Sequence, residues 1–431
     1  QVAGVAVTQG SSTGTLKTDL TGTGMTNVVI NAAAGVTFVI TADIIIGTGP
    51  GTTVLHANIN TATQHSDVVL TGATITTTED ERLTVTLTEI QRSHAIAISG
   101  QSGGDGVAMV LDVFGSAVQD IGTNRNIDEA ANLNLVVTET PDTIPPIVTA
   151  ATLNLGTGVL IITADEILDA TPASAKFDLN KLRLCNITEV NVDSAATSGC
   201  VPLDGAIVTQ VDALTVTITI TELQRSKAIA FSGTPGGDGT AMVLDVIAGG
   251  VTDIGQVNNI NNFNIPVLES PDIIQPTIDD CFIDYATGQV TLFASETLDL
   301  TPIGRFTTIP ELEYVDLTKL ILVDETGQVP ILDPQVGTPD LSTFLNFGPP
   351  SNKATTMVGS VITQTDATLL YILLPELARS LTTQFGGVVP NGDGTATLLD
   401  AAVGAVRDIA GNLNVIKNGL TCREEIDDAL P

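Results

Sequence analysis

Residues 214 to 220 alternate without interruption, with Leu214, Val216, Ile218 and Ile220 on one parity and Thr215, Thr217 and Thr219 on the other. Successive strand side chains point to opposite faces, so this pattern predicts a strand with one buried face and one wet face. Other β-branched and aliphatic runs are bounded by Gly, Asn, Asp and Pro. They include VTFVITADI from Val36, LTVTLTE from Leu83, AIAIS from Ala95, VAMVLDV from Val107 and LNLVVTE from Leu133. IVTAATLNL and VLIITADEI flank Gly156-Thr157-Gly158 and read as a hairpin, and LNKLRLCNI supplies a further strand. The chain is therefore expected to be all-β.

The pattern also repeats. Residues 88–113, TEIQRSHAIAISGQSGGDGVAMVLDV, match residues 221–246, TELQRSKAIAFSGTPGGDGTAMVLDV, at 20 of 26 positions, and a third version with one inserted residue starts at Pro375. Three domains follow, residues 1–142, 143–272 and 273–431, each long enough to bury a core. The third carries an insertion near 333–353 and an acidic tail, expected on the surface beyond Cys422. Thr88-Glu89-Ile90-Gln91 and Thr221-Glu222-Leu223-Gln224 have the form of a capping box, so one helical turn is expected between two strands. The Gly-Gly-Asp-Gly that follows is expected to be a tight turn between strands, with glycine supplying positive φ. Linkers Glu139-Thr140-Pro141-Asp142 and Glu269-Ser270-Pro271-Asp272 lead to Pro145-Pro146 and Pro276, where a missing N–H is best tolerated at a strand start.

Composition narrows the function. The chain has 49 acidic and 16 basic residues, a net charge of −33, which repels phosphate backbones and anionic lipid. Nucleic acid is excluded as a partner, and no apolar run has the length of a membrane span. The chain begins at Gln1 without Met or a signal-like segment, which fits a processed secreted protein or a portion of a longer one. Four cysteines, Cys185 with Cys200 and Cys281 with Cys422, are placed so that each pair stays within one domain. Two disulfides are expected; zinc is the competing reading, against which stand the absence of CxxC and of a nearby His.

No catalytic constellation is evident. His56, His65 and His94 all fall in the first repeat, and Lys227 replaces His94 in the second, the mark of a solvated position. Nucleophile-elbow, P-loop and HExxH patterns are missing, so the protein is read as a non-enzyme. The acidic positions recur by repeat: Asp105, Asp238 and Asp393 in the Gly-rich turn; Asp112, Asp245 and Asp400 ending the next strand; Asp120, Asp253 and Asp408 opening a loop held by Asn126, Asn259 and Asn414. Asp43, Glu166 and Glu296 lie in an early strand, and Glu139, Asp142, Glu269 and Asp272 in the linkers. Calcium takes six to eight oxygens of this kind, so these are candidate calcium ligands that would stiffen the string of domains. The competing reading is that Asp and Asn make turns and cap loops. Asn186-Ile187-Thr188 is a sequon and a candidate glycosylation site. Phe344 and Phe347 in the insertion are either a small satellite core or a contact with a neighbouring subunit.

The entry TPDTIPPIVTAATLNLGTGVLIITADEILD, the Asp-Leu-x-Lys-Leu at 178–182 and 316–320, GGDGTA and Asp-Ile-Ala-Gly-Asn resemble the immunoglobulin-like and cadherin-like repeats of large microbial surface proteins. That resemblance implies stalks, adhesins, or units of sheaths and surface filaments. The expected fold is three tandem antiparallel β-sandwiches of immunoglobulin-like topology. The expected function is a secreted, extracellular or cell-surface structural subunit that polymerises head-to-tail with itself into a filament, tube or coat. Val2, Val5 and Val7 would donate a strand to the next subunit, or complete their own domain. The alternative is an adhesin or stalk spacer with a calcium-stiffened domain string.

Overall fold

This computed structural model describes residues 68–75, 82–127, 134–186, 199–301, 314–324, 354–363, 365–388 and 392–426. Val2, Val5, Val7, Asp43, His56, His65, Phe344, Phe347 and the insertion lie outside them. The chain divides into two compact units, Gln1–Asp142 and Thr143–Pro431. Among the described residues strands outnumber helices in both units, and the fold is all-β in class.

In the first unit the described elements are β1 (Thr74–Ile75) paired with β2 (Val85–Thr86), α1 (Glu89–Ala97), and β3 (Val110–Leu111) paired with β4 (Leu135–Val136).

The second unit holds two copies of one topology. In the second repeat β5 (Val148–Asn154), β6 (Val159–Leu168), β9 (Ile207–Val208) and β10 (Ala213–Thr219) form one sheet in the order β5-β6-β10-β9. After the short α2 (Ala173–Lys176), β7 (Leu182–Asn186), β8 (Cys200–Pro202) and β11 (Met242–Val246) form another, in the order β8-β7-β11. α3 (Glu222–Phe231) connects β10 to β11. The closing strand β12 (Asn262–Ser270) serves both sheets. Its first half pairs antiparallel with β11, Val243 opposite Pro266, and its second half pairs parallel with β5, Val267 opposite Ala151. The repeat is thus not purely antiparallel, because β12 passes from one sheet to the outer edge of the other. Leu153, Leu160, Ile162 and Ile218 from one sheet share a single aliphatic core with Leu182, Leu184, Met242 and Leu244 from the other.

The third repeat follows the same plan. β13 (Ile278–Asp284), β14 (Gln289–Leu298), β17 (Val361–Ile362) and β18 (Ala367–Leu373) form one sheet. β15 (Leu320–Asp324), β16 (Ala354–Thr356), β19 (Thr397–Ala401) and β20 (Lys417–Thr421) form the other, and α4 (Glu376–Phe385) connects β18 to β19. Beyond Cys422, β21 (Arg423–Glu425) pairs parallel with β13. The start of the acidic tail is therefore a sheet strand, on which Arg423 and Glu425 are exposed.

Both predicted capping boxes form, but they open whole helices. Thr88 and Thr221 accept from the N–H of Gln91 and Gln224, whose side chains accept the cap N–H in return. The expected strand at Ala95–Ser99 is instead the end of α1 and its exit, and the Gly-Gly-Asp-Gly turn lies between helix and strand. The capping box nucleates a helix that the short apolar run then continues.

Candidate functional site at the junction of the second and third repeats

The recurrent acidic positions separate into groups with different work. The turn aspartates cap their own turn: Asp105 accepts from Val107 N–H, Asp238 from Thr240 and Asp393 from Thr395. The strand-end aspartates accept across the sheet from Asn134, Asn264 and Gly419 N–H, each a residue with positive φ. Asp120 accepts from Asn124 N–H, and the loop it opens is held by Asn126, whose Oδ1 takes Val118 N–H; Asn259 and Asn414 repeat that bond to Val251 and Val406. These groups accept mainly from backbone N–H groups, within a turn or across to the neighbouring strand, the bonding that the turn-former reading describes.

Asp272, Glu296 and Asp408 are different. They come from the linker, from β14 and from the loop before β20, and their carboxylate oxygens lie within 4.8 Å of one another. Solvent reaches 3%, 5% and 1% of these residues. Three carboxylates buried together require a cation, and the second repeat supplies one from α3. Arg225 bonds Asp272 Oδ2 at 2.5 Å through Nη1 and Glu296 Oε2 at 2.6 Å through Nη2. Its Nε and Nη2 form a fork with Glu222 at 2.7 and 3.0 Å, and Nη1 also reaches the Leu155 carbonyl at 3.0 Å. Only the planar guanidinium presents donors in this arrangement. Glu222 Oε1 in turn accepts Thr297 N–H at 2.7 Å, so one side chain of the second repeat closes on the backbone of the third.

The remaining lone pairs are unevenly served. Asp272 Oδ1 accepts Ile274 N–H and Asp408 accepts twice from Asn412, whose amide also reaches the Asp272 carbonyl. Glu296 Oε1 is buried and accepts no hydrogen bond from any described residue. Burial, opposed by Arg225 and reinforced by Asp272 and Asp408, pushes the Glu296 carboxyl up to about 7. Burial likewise raises Asp408. Burial disfavours the Arg225 charge, but Glu222 and Glu296 outweigh it and hold the guanidinium protonated.

Apolar contacts seal the junction. Ala410, from the Asp-Ile-Ala-Gly-Asn loop of the third repeat, belongs to the core of the second, and Ile409 packs against it. A Cβ on Gly236 would lie 2.2 Å from the Ile409 carbonyl oxygen and 2.6 Å from Ala410 Cα, and Gly236 has φ +88. Glycine is needed there twice over, for the backbone conformation and for the close approach.

Within the first unit Arg92 forks with Glu89 and bonds Asp142 as Arg225 does with Glu222 and Asp272. Glu166 and Asp253 are buried in the second repeat. Matching Ile-Thr-Ala-Asp at 40–43 with 162–165 sets Asp43 against Asp165 and leaves Ile44 in the Glu166 register. The arginines were not singled out as site residues from sequence, although the recurrence of Glu-x-x-Arg at 89–92, 222–225 and 376–379 carries the signal.

Cys185 is joined to Cys200 and Cys281 to Cys422, with no free cysteine. Asn186 is buried, and its Nδ2, the atom that would carry a glycan, donates to Asp238 Oδ2 at 2.6 Å, a use that competes with glycosylation. Among the described residues no helix is long and apolar enough to cross a membrane.

No protein-family model matches the chain, and no curated protein matches it. Among solved structures it is similar to the N-terminal part of the bacterial S-layer protein SbsC, with 12% identity, 54% of this chain and 45% of that chain covered, and a TM-score of 0.20. It is also similar to a marsupial T cell receptor, with 10% identity, 67% of this chain and 74% of that chain covered, and a TM-score of 0.16. The chain spans less than half the length of the S-layer fragment. Neither likeness carries an argument about function.

Proposed function

We propose that the chain is a structural, non-catalytic component of an extracellular surface assembly, built from immunoglobulin-like repeats and polymerising with itself into a filament, tube or coat. The observation that carries this reading is the joint between the second and third repeats. Buried ion pairs, a shared core and a glycine contact lock two β-modules together, which is what a load-transmitting string needs. Two disulfides suit an oxidising location.

Calcium is part of the proposal. Asp272, Glu296 and Asp408 offer hard oxygen ligands, and the buried, unpartnered Glu296 Oε1 fits a group that would satisfy it. Bound there, calcium would add positive charge to a cluster that Arg225 only partly neutralises. Negative-stain microscopy of the purified chain, with calcium and with chelator, tests the assembly. Regular filaments or sheets support it, and isolated particles at every protein and calcium concentration overturn it. Calorimetry tests the metal separately: the melting temperature is expected to rise with calcium, and an unchanged value rejects the ion.

A further inference from the structure

Three side chains of the second repeat carry chemistry that the junction does not use. Asp169 directly follows β6, Lys176 ends α2, and Gln256 lies in the loop between β11 and β12. Isolated β-bridges fix the segments that bear them: Leu168 pairs with Asp253, and Phe177 pairs with Val251. The Asp169 N–H donates to the Thr252 carbonyl at 2.9 Å. Gln256 has φ +67 and closes its loop through a bond from its N–H to the Asp253 carbonyl at 3.2 Å.

Asp169 Oδ2 holds both of the other side chains. Lys176 Nζ is 2.9 Å from it, and Gln256 Nε2 donates to it at 2.9 Å. Lys176 Nζ also donates to Gln256 Oε1. The amine therefore sits against a carboxamide whose nitrogen the same carboxylate binds. The other oxygen of Asp169 accepts the Thr171 N–H at 3.1 Å, which fixes the carboxylate in place. Solvent reaches 9% of the Asp169 side chain and 19% of the Lys176 side chain, while Gln256 is exposed.

A lysine amine becomes a nucleophile once a neighbouring base removes its proton, and a group that reaches both nucleophile and leaving group carries that proton between them. Holding the reactants in contact removes the entropy cost of encounter. We propose that Lys176 and Gln256 join spontaneously through an intramolecular amide bond, with Asp169 as the proton carrier. The Lys176 ammonium gives a proton to Asp169 Oδ2, and the freed lone pair of Nζ attacks Gln256 Cδ. The Cδ–Nζ bond forms and the Cδ–Nε2 bond breaks, its electron pair leaving with Nε2. Nε2 departs as ammonium, having gained the two protons that Nζ lost, and the exposed side of Gln256 gives it a way out. No oxidant and no cofactor is consumed.

The third repeat holds the same corner by other means. Asp299 keeps the Asp169 place, but Tyr314 stands for Lys176 and Gly411 for Gln256. Arg407 lies over the Tyr314 ring, 3.3 Å from its centroid, with Nε 3.4 Å from Asp299. An ion pair and a cation–π contact thus serve there, whereas the amide of the second repeat ties positions 80 residues apart.

Peptide mapping of the purified, reduced chain by mass spectrometry tests the assignment. One branched peptide linking Lys176 to Gln256 is expected, lighter than its two arms together by about 17 Da, the mass of ammonia. Lys176→Arg keeps the pair with Asp169, and Gln256→Gly places the residue of the third repeat at the positive φ. Each is expected to abolish the branch while the circular dichroism stays that of the parent. Asp169→Asn is expected to lower the branched fraction about tenfold. Separate, unbranched Lys176 and Gln256 peptides in the parent, the sign of a salt bridge only, overturn the proposal. A fully branched Asp169→Asn chain overturns the role of Asp169. Cyclisation of Gln1 also releases ammonia, but that loss stays in the N-terminal peptide and persists in Lys176→Arg. The inference does not rest on self-assembly, since a chain that never forms filaments gives the same map.

Discussion

Arg225 is the side chain on which the joint turns. Removing one partner of a buried ion pair leaves uncompensated charge, so Arg225→Met is expected to cost about 3–5 kcal/mol in denaturant unfolding. Arg225→Lys is expected to recover little, since an ammonium cannot fork with Glu222 and reach Asp272 and Glu296 together. Glu296 makes the joint pH-sensitive. A carboxyl whose folded value lies near 7, well above its unfolded value, contributes stability that is complete at acid pH and lost as pH rises through that value. Asp299, pushed up to about 6 by burial, acts in the same direction. In chelator, the melting temperature is therefore expected to rise as pH falls from 7.5 towards 5, and Glu296→Gln is expected to flatten that slope. With calcium the trend is expected to weaken or reverse, because the ion requires deprotonated ligands. A Gly236→Ala substitution, by contrast, should disturb the joint through sterics at every pH.

Among the elements, the capped helix does most to organise a repeat. In α3 the buried residues are Gln224, Arg225, Ser226, Ala228 and Ile229, a largely polar face that delivers hydrogen bonds more than apolar area. Gln224 spans two roles, closing the capping box and donating to the carbonyls of Pro202 and Asp204. Thr221→Ala is expected to lower stability by about 1 kcal/mol in thermal melts, the usual cost of a lost N-cap. In the third repeat Pro375 makes no side-chain cap bond and sits at φ −65, so Pro375→Ala is expected to cost about 0.4–1 kcal/mol through the unfolded chain and not through a lost cap bond. The Asn259 loop is a second organising element, with Oδ1 and Nδ2 holding Val251 N–H and the carbonyls of Ile247 and Ile260.

Across the molecule, covalent and non-covalent closures divide the labour. Cys281–Cys422 joins positions 141 residues apart and ties the first strand of the third repeat to the junction of its last two, whereas Cys185–Cys200 spans 15. On a loop-closure argument, loss of the long bridge should cost about 5 kcal/mol and of the short one about 3 kcal/mol. Urea unfolding of the Cys281→Ser/Cys422→Ser and Cys185→Ser/Cys200→Ser variants would rank them. The closing strands, β12 and the β20–β21 pair, complete the second and third repeats by running from one sheet to the other.

Period and punctuation were readable along the chain because they are local. Alternation at 214–220, the Thr-x-x-Gln boxes and the Gly turns each depend on residues within a few positions of one another, and the threefold register of Asp and Asn is the same local pattern written again. The cysteine partners were also legible, since each pair stays inside one repeat. The parallel closing strand was not, because its partner lies more than a hundred residues earlier and the pairing is set by which sheet edge is vacant. Nor was the sorting of like-looking carboxylates into turn caps and a buried cluster. Asp238 and Asp408 sit in equally recurrent motifs, and only packing decides that one faces water while the other is drawn beside Asp272 and Glu296. That difference arises from desolvation and from a guanidinium carried in by the neighbouring repeat, and both exist only once the modules are joined.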